Sequence, residues 1–232
     1  MLAAGLRVAL GSSFYLACGV ALAQAGGSIA LLSDYRWRGV SLSDERPTFQ
    51  LSASYDHPGG WFGGASLTGV VLGPYDQPQL QLLGYAGYAD RLSERLGWEA
   101  GVTGVHFSVD SRYDYGEAFA GLSGERWNMR LHYAPDYFGR GLRTVYGEFN
   151  VGVPLSALVR ATAHAGALVR VGGAAAEDRR ANLDGSLGLA LARDAWEVRL
   201  DWVAGGRSSV YPTGYGRAAA NGTLVLCASF AF

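Results

Sequence analysis

The stretch WEVRLDWV sets Trp196, Val198, Leu200 and Trp202 on one parity and Glu197, Arg199 and Asp201 on the other. Successive side chains of a strand point to opposite faces, so this segment reads as a strand with one wholly apolar and one wholly ionic face. The split recurs in TVYGEFNVGV, where Val145, Gly147, Phe149, Val151 and Val153 oppose Tyr146, Glu148 and Asn150. In WNMRLHY the set Trp127, Met129, Leu131 and Tyr133 opposes Asn128, Arg130 and His132. FQLSASYD places Phe49, Leu51, Ala53 and Tyr55 against Gln50, Ser52, Ser54 and Asp56, and VRATAHAGALVR places alanines and valines against Arg160, Thr162, His164 and Arg170.

A sandwich in water alternates too, with its apolar face turned inward. Two features select a membrane barrel instead. Aromatic residues gather at the ends of the apolar faces (Tyr35, Trp37, Trp61, Trp98, Trp127, Tyr133, Trp196 and Trp202), as girdles at two membrane interfaces require. Connection lengths also sort. Twelve strands are expected near 28–38, 48–56, 61–72, 79–89, 96–108, 113–123, 127–134, 144–153, 158–170, 183–193, 195–204 and 219–232. Odd-numbered connections, such as GVSLSDERP, PDYFGRGLR and GGRSSVYPTGYGRAAAN, are long. Even-numbered ones, such as HPGG, GER and RDA, are short. Short periplasmic turns and longer outer loops are the outer-membrane pattern, and an even strand count puts both termini in the periplasm. The expected fold class is therefore all-β, a transmembrane antiparallel up-and-down barrel of about twelve strands.

Both ends of the chain agree with export and barrel assembly. A basic Arg7, an apolar run from Val8 to Leu22 and the small residues Ala21 to Ala23 have the layout of a secretory signal. Residues 1–23 are thus read as signal peptide and 24–232 as the barrel, with Ala25 as an alternative start. Tyr15 stands where lipoprotein processing expects Leu, so Cys18 is not read as a lipidation site. The final LVLCASFAF alternates down to Phe232, as expected of a closing strand that pairs with the first and is read by the barrel assembly machinery.

Composition removes several functions. All nineteen basic residues are arginines, which excludes P-loop phosphate chemistry and Schiff-base catalysis. A net charge of −1 argues against nucleic acid as a partner. With Cys18 in the signal, Cys227 is left alone, without a disulfide or thiolate cluster to join. No cofactor is expected, and no metal, because no histidines share a ligand-type spacing.

The stretch SDYRWRGVSLSDERPTFQLSASYDHPGGWFGG, followed by DYGEAFAGLSG, LHYAPDYFG and YGEFNVGVPL, resembles the TorF-like porin family across nearly the whole mature chain. The carrying motif is Arg38-Gly39-Val40-Ser41, leading through Ser-Asp and Pro into a second strand and a Gly-aromatic hairpin. The resemblance implies an outer-membrane barrel acting as a channel, and implies no particular solute. The Ala-rich GGAAAEDRRAN departs from it and reads as a variable outer loop.

With the apolar parity in lipid, the polar parity lines the lumen. The candidate pore-lining residues are Asp34, Arg36, Arg38, Glu99, Glu117, Arg130, His132, Glu148, Arg160, Arg170, Asp184, Glu197, Arg199 and Asp201, with His164 beside them. Charges facing mid-bilayer lipid cost roughly 2 to 4 kcal/mol each, which forces them inward. Either they pair and fill a closed scaffold, or they leave an aqueous path that sorts small polar or charged solutes. Outer-membrane lipid and such solutes are the expected partners, and an oligomer is compatible with the sequence. Adhesion through Tyr- and Gly-rich loops is an alternative, and a phospholipase-type hydrolase is the enzymatic one. The latter needs a serine activated by an oriented histidine. His106 and Ser108 share a face, but no orienting Asp or Asn is evident there, and the expectation is no enzymatic activity.

Overall fold

The computed structural model describes residues 24–73, 75–173, 181–206, 210–212, 214–218 and 222–232. The signal reading of 1–23 lies outside them, as does most of the Ala-rich loop. The strands are β1 (Gln24–Leu32), β2 (Arg36–Trp37), β3 (Val40–Ser41), β4 (Thr48–Asp56), β5 (Trp61–Leu72), β6 (Gln77–Ser93), β7 (Leu96–Phe107) and β8 (Tyr115–Ser123). They continue as β9 (Trp127–Ala134), β10 (Arg143–Pro154), β11 (Val159–Gly172), β12 (Asn182–Arg193), β13 (Trp196–Gly205), β14 (Arg217–Ala218) and β15 (Thr223–Ala231).

Twelve of these, β1, β4 to β13 and β15, close into one barrel in sequence order, each antiparallel to its neighbours. Closure joins β1 to β15 over five paired positions, from Ser28↔Ala231 to Leu32↔Cys227. This seam is the shortest ladder in the wall and is extended by backbone bonds between Gly27 and Phe232 and from Ser33 N to Leu226 O. The expected parity holds around the ring. Leu31, Leu187 and Leu224 are each more than 60% exposed on the outside, while Gln50, Thr68, Gln81 and Thr103 are buried within. An exterior of this kind requires lipid rather than water.

The first strand differs from expectation. β1 stops at Leu32, and the chain then turns into the barrel instead of continuing up the wall to Arg38. β2 and β3 form a tight hairpin whose two turn residues, Arg38 (φ 50°) and Gly39 (φ 76°), both have positive φ, the geometry of a type I′ turn. β14, from the last long loop, adds a third strand through Ala218↔Val40 and Arg217↔Ser41. Gly39 sits where a Cβ would come within 2.7 Å of Asp184 Cβ and 2.9 Å of Gly205 Cα, so only glycine lets the hairpin tip dock against β12 and β13.

Around this hairpin the loop end of the lumen is packed solid. Tyr35 and Trp37 are 2% and 5% exposed, and Leu42, Tyr113, Tyr137, Phe138, Leu142, Val210 and Tyr215 join them in one buried cluster. Ring contacts bind the separate loops together, with centroids 4.1 Å apart for Tyr137–Phe138, 4.6 Å for Phe138–Tyr215 and 4.7 Å for Tyr115–Tyr137. Such pairs are worth roughly 0.5–1.5 kcal/mol each beyond area burial. The placement of Tyr35 and Trp37 in an interface girdle is therefore corrected. Their parity matched the lipid face, but after Leu32 the chain no longer belongs to the wall. GVSLSDERP is likewise part of an inward plug and not a free outer loop.

Candidate functional site

Between the plug and the short turns the lumen keeps a cavity of about 460 Å³. Its ceiling is the hairpin, through Asp34, Arg36 and Arg38, and it reaches down to Glu125, Arg126 and Pro154 at the turn end. Glu99, Arg130, His132, Glu148, Arg160, His164, Asp184, Glu197, Arg199 and Asp201 line it. Glu117 and Arg170, also in the inward set, are buried away from this space: Glu117 lies beneath Arg38, and Arg170 sits on β11 toward the loops.

The charges are arranged as pairs, some within one strand or in the hairpin and others reaching across an intervening strand, as Arg130 of β9 does to Glu99 of β7 and Arg160 of β11 to Glu197 of β13. Arg38 makes a bidentate contact with Glu117, Nη1 to Oε1 at 2.8 Å and Nη2 to Oε2 at 2.6 Å, and its guanidinium stacks 4.2 Å from the Tyr146 ring. His132 stands between Glu117 and Glu148, its nitrogens 3.4 and 3.5 Å from the two carboxylates. Arg130 donates to Glu99 at 2.6 and 2.8 Å while lying 4.7 Å over the Phe119 ring. Arg160 pairs with Glu197 at 2.8 Å, Arg199 with Asp201, and Arg36 with Asp34 at 2.7 Å. Fork-to-carboxylate pairing of this kind neutralises charges that a narrow, partly dehydrated interior would otherwise penalise.

These ionic groups stand on β7 to β13 and the hairpin. The opposite wall, from β15 through β1 to β6, turns Ser28, Gln50, Thr68, Gln79, Gln81 and Cys227 inward, with Asp56 as a carboxylate near the turns. The lumen is thus two-sided, ionic on one half and neutral on the other. Residue-by-residue alternation gives the parity of each charge but carries no information about which strands face each other across a closed ring.

The plug is also tied together by ion pairs among its own segments. Arg217 of β14 pairs with Asp44, and Arg46 reaches the same carboxylate at 2.9 Å. Burial pushes the Tyr137 hydroxyl up to about 12, so it remains a neutral donor and acceptor beside Arg38. In the loop after β7, the Arg112 guanidinium bonded to Asp110 holds that carboxyl below the usual carboxylate range. The plug is the functional element that sequence reasoning missed. Its signal is the set of large apolar residues, Leu42, Phe138 and Val210, inside segments otherwise polar enough to pass as loops.

The hydrolase alternative gains an acid and loses its nucleophile. Asp114 faces His106 from across the β7–β8 connection, Oδ2 to Nδ1 at 2.6 Å, and its other oxygen accepts from Phe107 N at 2.8 Å. The expectation that no orienting carboxylate exists on that face is therefore corrected: Asp114 comes from the strand-to-strand loop and not from β7 itself. Ser108 Oγ, however, accepts from Leu80 N at 3.0 Å on β6, the neighbour of β7 on the side away from β8. His57 sits in a turn, where its Nδ1 accepts from Gly59 N. Among the described residues no serine is activated by a histidine, and no group of three or more metal-ligating side chains converges.

Comparison with known proteins fits the architecture. A family model described as "Bacterial protein of unknown function (Gcw_chp)" matches residues 18–228. No curated protein matches. Among solved structures, the barrel is similar to the KdgM porin (TM-score 0.55, 11% identity, 90% of this chain and 99% of that one). It is also similar to the NanC porin in a rhombohedral crystal form (TM-score 0.57, 10% identity, with the same 90% and 99% coverage). At these identities the likeness is one of fold, that of outer-membrane porin barrels.

Proposed function

The chain belongs to the Gcw_chp family, and we propose that it is a porin-like channel of the bacterial outer membrane, passing small polar or charged solutes passively and performing no catalysis. The finer assignment, to the TorF-like porins within that setting, rests on the motif order around Arg38-Gly39-Val40-Ser41. Export through the periplasm rests on the signal layout of residues 1–23, and hand-over to the barrel assembly machinery on the closing strand that ends at Phe232.

The observation that carries this reading is the cavity itself. A barrel built only as a scaffold has no need to keep about 460 Å³ open and line it with opposed ion pairs. The candidate pore-lining residues then divide the work. Arg130–Glu99, Arg160–Glu197 and Arg199–Asp201 form the ionic wall of the path, and Arg36 and Arg38 stand where the path meets the plug.

A second reading, a closed structural barrel, is favoured by one specific observation: the aromatic plug fills the loop end. Planar-bilayer recordings of refolded protein separate the two. Small, discrete conductance steps are expected from the wild type, with larger ones after residues 34–42 are replaced by a short Gly-Ser linker. Silence from both proteins, correctly folded, would establish the closed scaffold. Replacing Arg36 and Arg38 with Ser is expected to shift selectivity toward cations, because the acids below them then lack their counter-charges; unchanged selectivity would remove these two arginines from the conducting path.

A further inference from the structure

We propose that His164 is a specificity-determining residue of the lumen, its ring charge setting how strongly the cavity favours small cations over small anions, so that cation preference rises with pH. The proposal rests on the channel reading above and adds to it the regulation of the same cavity.

The geometry assigns His164 an unusual set of neighbours. Nδ1 lies 2.7 Å from Asn150 Oδ1, and the amide nitrogen of Asn150 is already donating to Asn128 Oδ1 at 3.0 Å. Nε2 lies 2.8 Å from Asp184 Oδ1 and 3.2 Å from the Tyr146 hydroxyl, which itself donates to that same carboxylate oxygen at 3.1 Å. Every partner is an acceptor toward the ring. A neutral imidazole has one N–H and one lone pair, so only the doubly protonated ring satisfies all these contacts. Charged groups face it from each side: Glu148 from β10, Asp184 from β12 and Arg199 from β13. Arg199 is already paired with Asp201, so the ring proton offsets one of the two carboxylates, Glu148 and Asp184, that face it.

Loss of the proton needs little rearrangement. When Nδ1 becomes an acceptor, a half-turn of the Asn150 and Asn128 side-chain amides presents Asn150 Nδ2 to it, and Nε2 still donates to Asp184. The switch is therefore one of charge and not of shape, and the barrel holds either state. An imidazole ordinarily titrates at about 6.5. A solute ion passing about 5 Å from the ring in a water-like dielectric feels a change of about fourfold in relative occupancy when that charge is removed. Alkaline conditions favour cations, and acid conditions weaken that preference.

Two measurements test this on the full chain with Cys18→Ser. The first is reversal potential under a potassium chloride gradient from about pH 5.5 to about pH 8.5, a window that brackets imidazole titration. The opposite effects on the two ions multiply, so the cation-to-anion permeability ratio is expected to rise about sixteenfold in the wild type. It is expected to stay flat, at the alkaline value, in His164→Gln. The second needs no conduction through the plug. Cys227 faces the cavity and is paired in register with Arg199, three strand spacings from β11, or about 14 Å at about 4.8 Å per strand. At low ionic strength, its rates with a sulfonate-bearing and a trimethylammonium-bearing methanethiosulfonate are compared. Their ratio cancels the thiol's own ionisation and is expected to change two- to threefold with pH, roughly, in the wild type only.

Silent bilayers together with a pH-dependent thiol ratio would overturn the channel reading and keep the charge switch. A flat response of the wild type in both assays overturns the proposal. So does a His164→Gln protein of native β-sheet circular dichroism that keeps the pH slope, in which case His132→Gln identifies the group responsible. His164→Asn serves as the second variant should the glutamine protein fail to fold.

Discussion

Arg38 joins backbone strain, charge and packing at a single position. It holds a positive φ that costs a non-glycine residue roughly 1–3 kcal/mol, and places a guanidinium between Glu117 and the Tyr146 ring. Strain persists only where the surroundings over-determine it, and here they do so through a bidentate pair, a ring face and the glycine beside it. Arg38→Ala leaves Glu117 buried without its fork and is expected to lower unfolding stability by roughly 3–5 kcal/mol. Adding Glu117→Ala should recover part of the loss, which a denaturant double-mutant cycle in detergent would measure; a loss of under about 1 kcal/mol, the size of a surface pair, would mean the pair is not the plug's anchor. Gly39→Ala acts from the other side of the turn by forcing the tip off β12 and β13, and a larger single-channel conductance with an intact barrel is expected. Tyr137 adds a pH signature. Its hydroxyl is held at about 12, against an ordinary value of about 10, because burial disfavours the charged form. A group whose folded value is raised contributes stability that is complete below the unfolded value and disappears as pH rises through the folded one. The plug should thus stay seated to pH about 10 and loosen toward about 12, seen as a delayed fraction in a tyrosinate absorbance titration.

At the scale of elements, the wall strands were readable in the sequence and the plug was not, for one physical reason. A wall strand has lipid on one side and the lumen on the other, so its parity is enforced by two different solvents; Phe49 and Gln50, or Leu200 and Asp201, cannot exchange places. Inside the barrel no such contrast exists. Tyr35 and Trp37 alternate with Asp34, Arg36 and Arg38, yet all five are enclosed by protein, so a pattern that means lipid in the wall means nothing in the hairpin. The same gap explains Asp114, which reaches His106 from a loop whose course no periodicity describes. Strand ends suffered least: β5 and β9 match the expected ranges, and β6 runs only a few residues beyond them. The inward charges of the wall follow the polar parity, whereas Asp34, Arg36 and Arg38 sit in the plug and not on the first wall strand, and the partners were not readable because pairing depends on which strands close the ring.

For the whole molecule, the two surfaces of the wall answer differently to the same substitution. Leu187→Arg places a charge on the lipid face and is expected to cost roughly 2–4 kcal/mol if it lies near mid-bilayer, read from folding equilibria in liposomes. An equally large change inside, such as Arg160→Gln beside Glu197, should alter ion preference far more than stability, and the reverse ranking would mean the apolar face does not meet lipid. The closure joint sets a mechanical property of the ring. The ladders on either side have nine and eight paired positions and others run to twelve, as between β5 and β6, whereas β1 and β15 share five. Under tangential load a hoop parts at its weakest fastening, and here that fastening also joins the two ends of the strip. The barrel carries a built-in clasp: peeled by force, it should open there first, and a cystine bridging positions 29 and 230 should make the hoop part elsewhere.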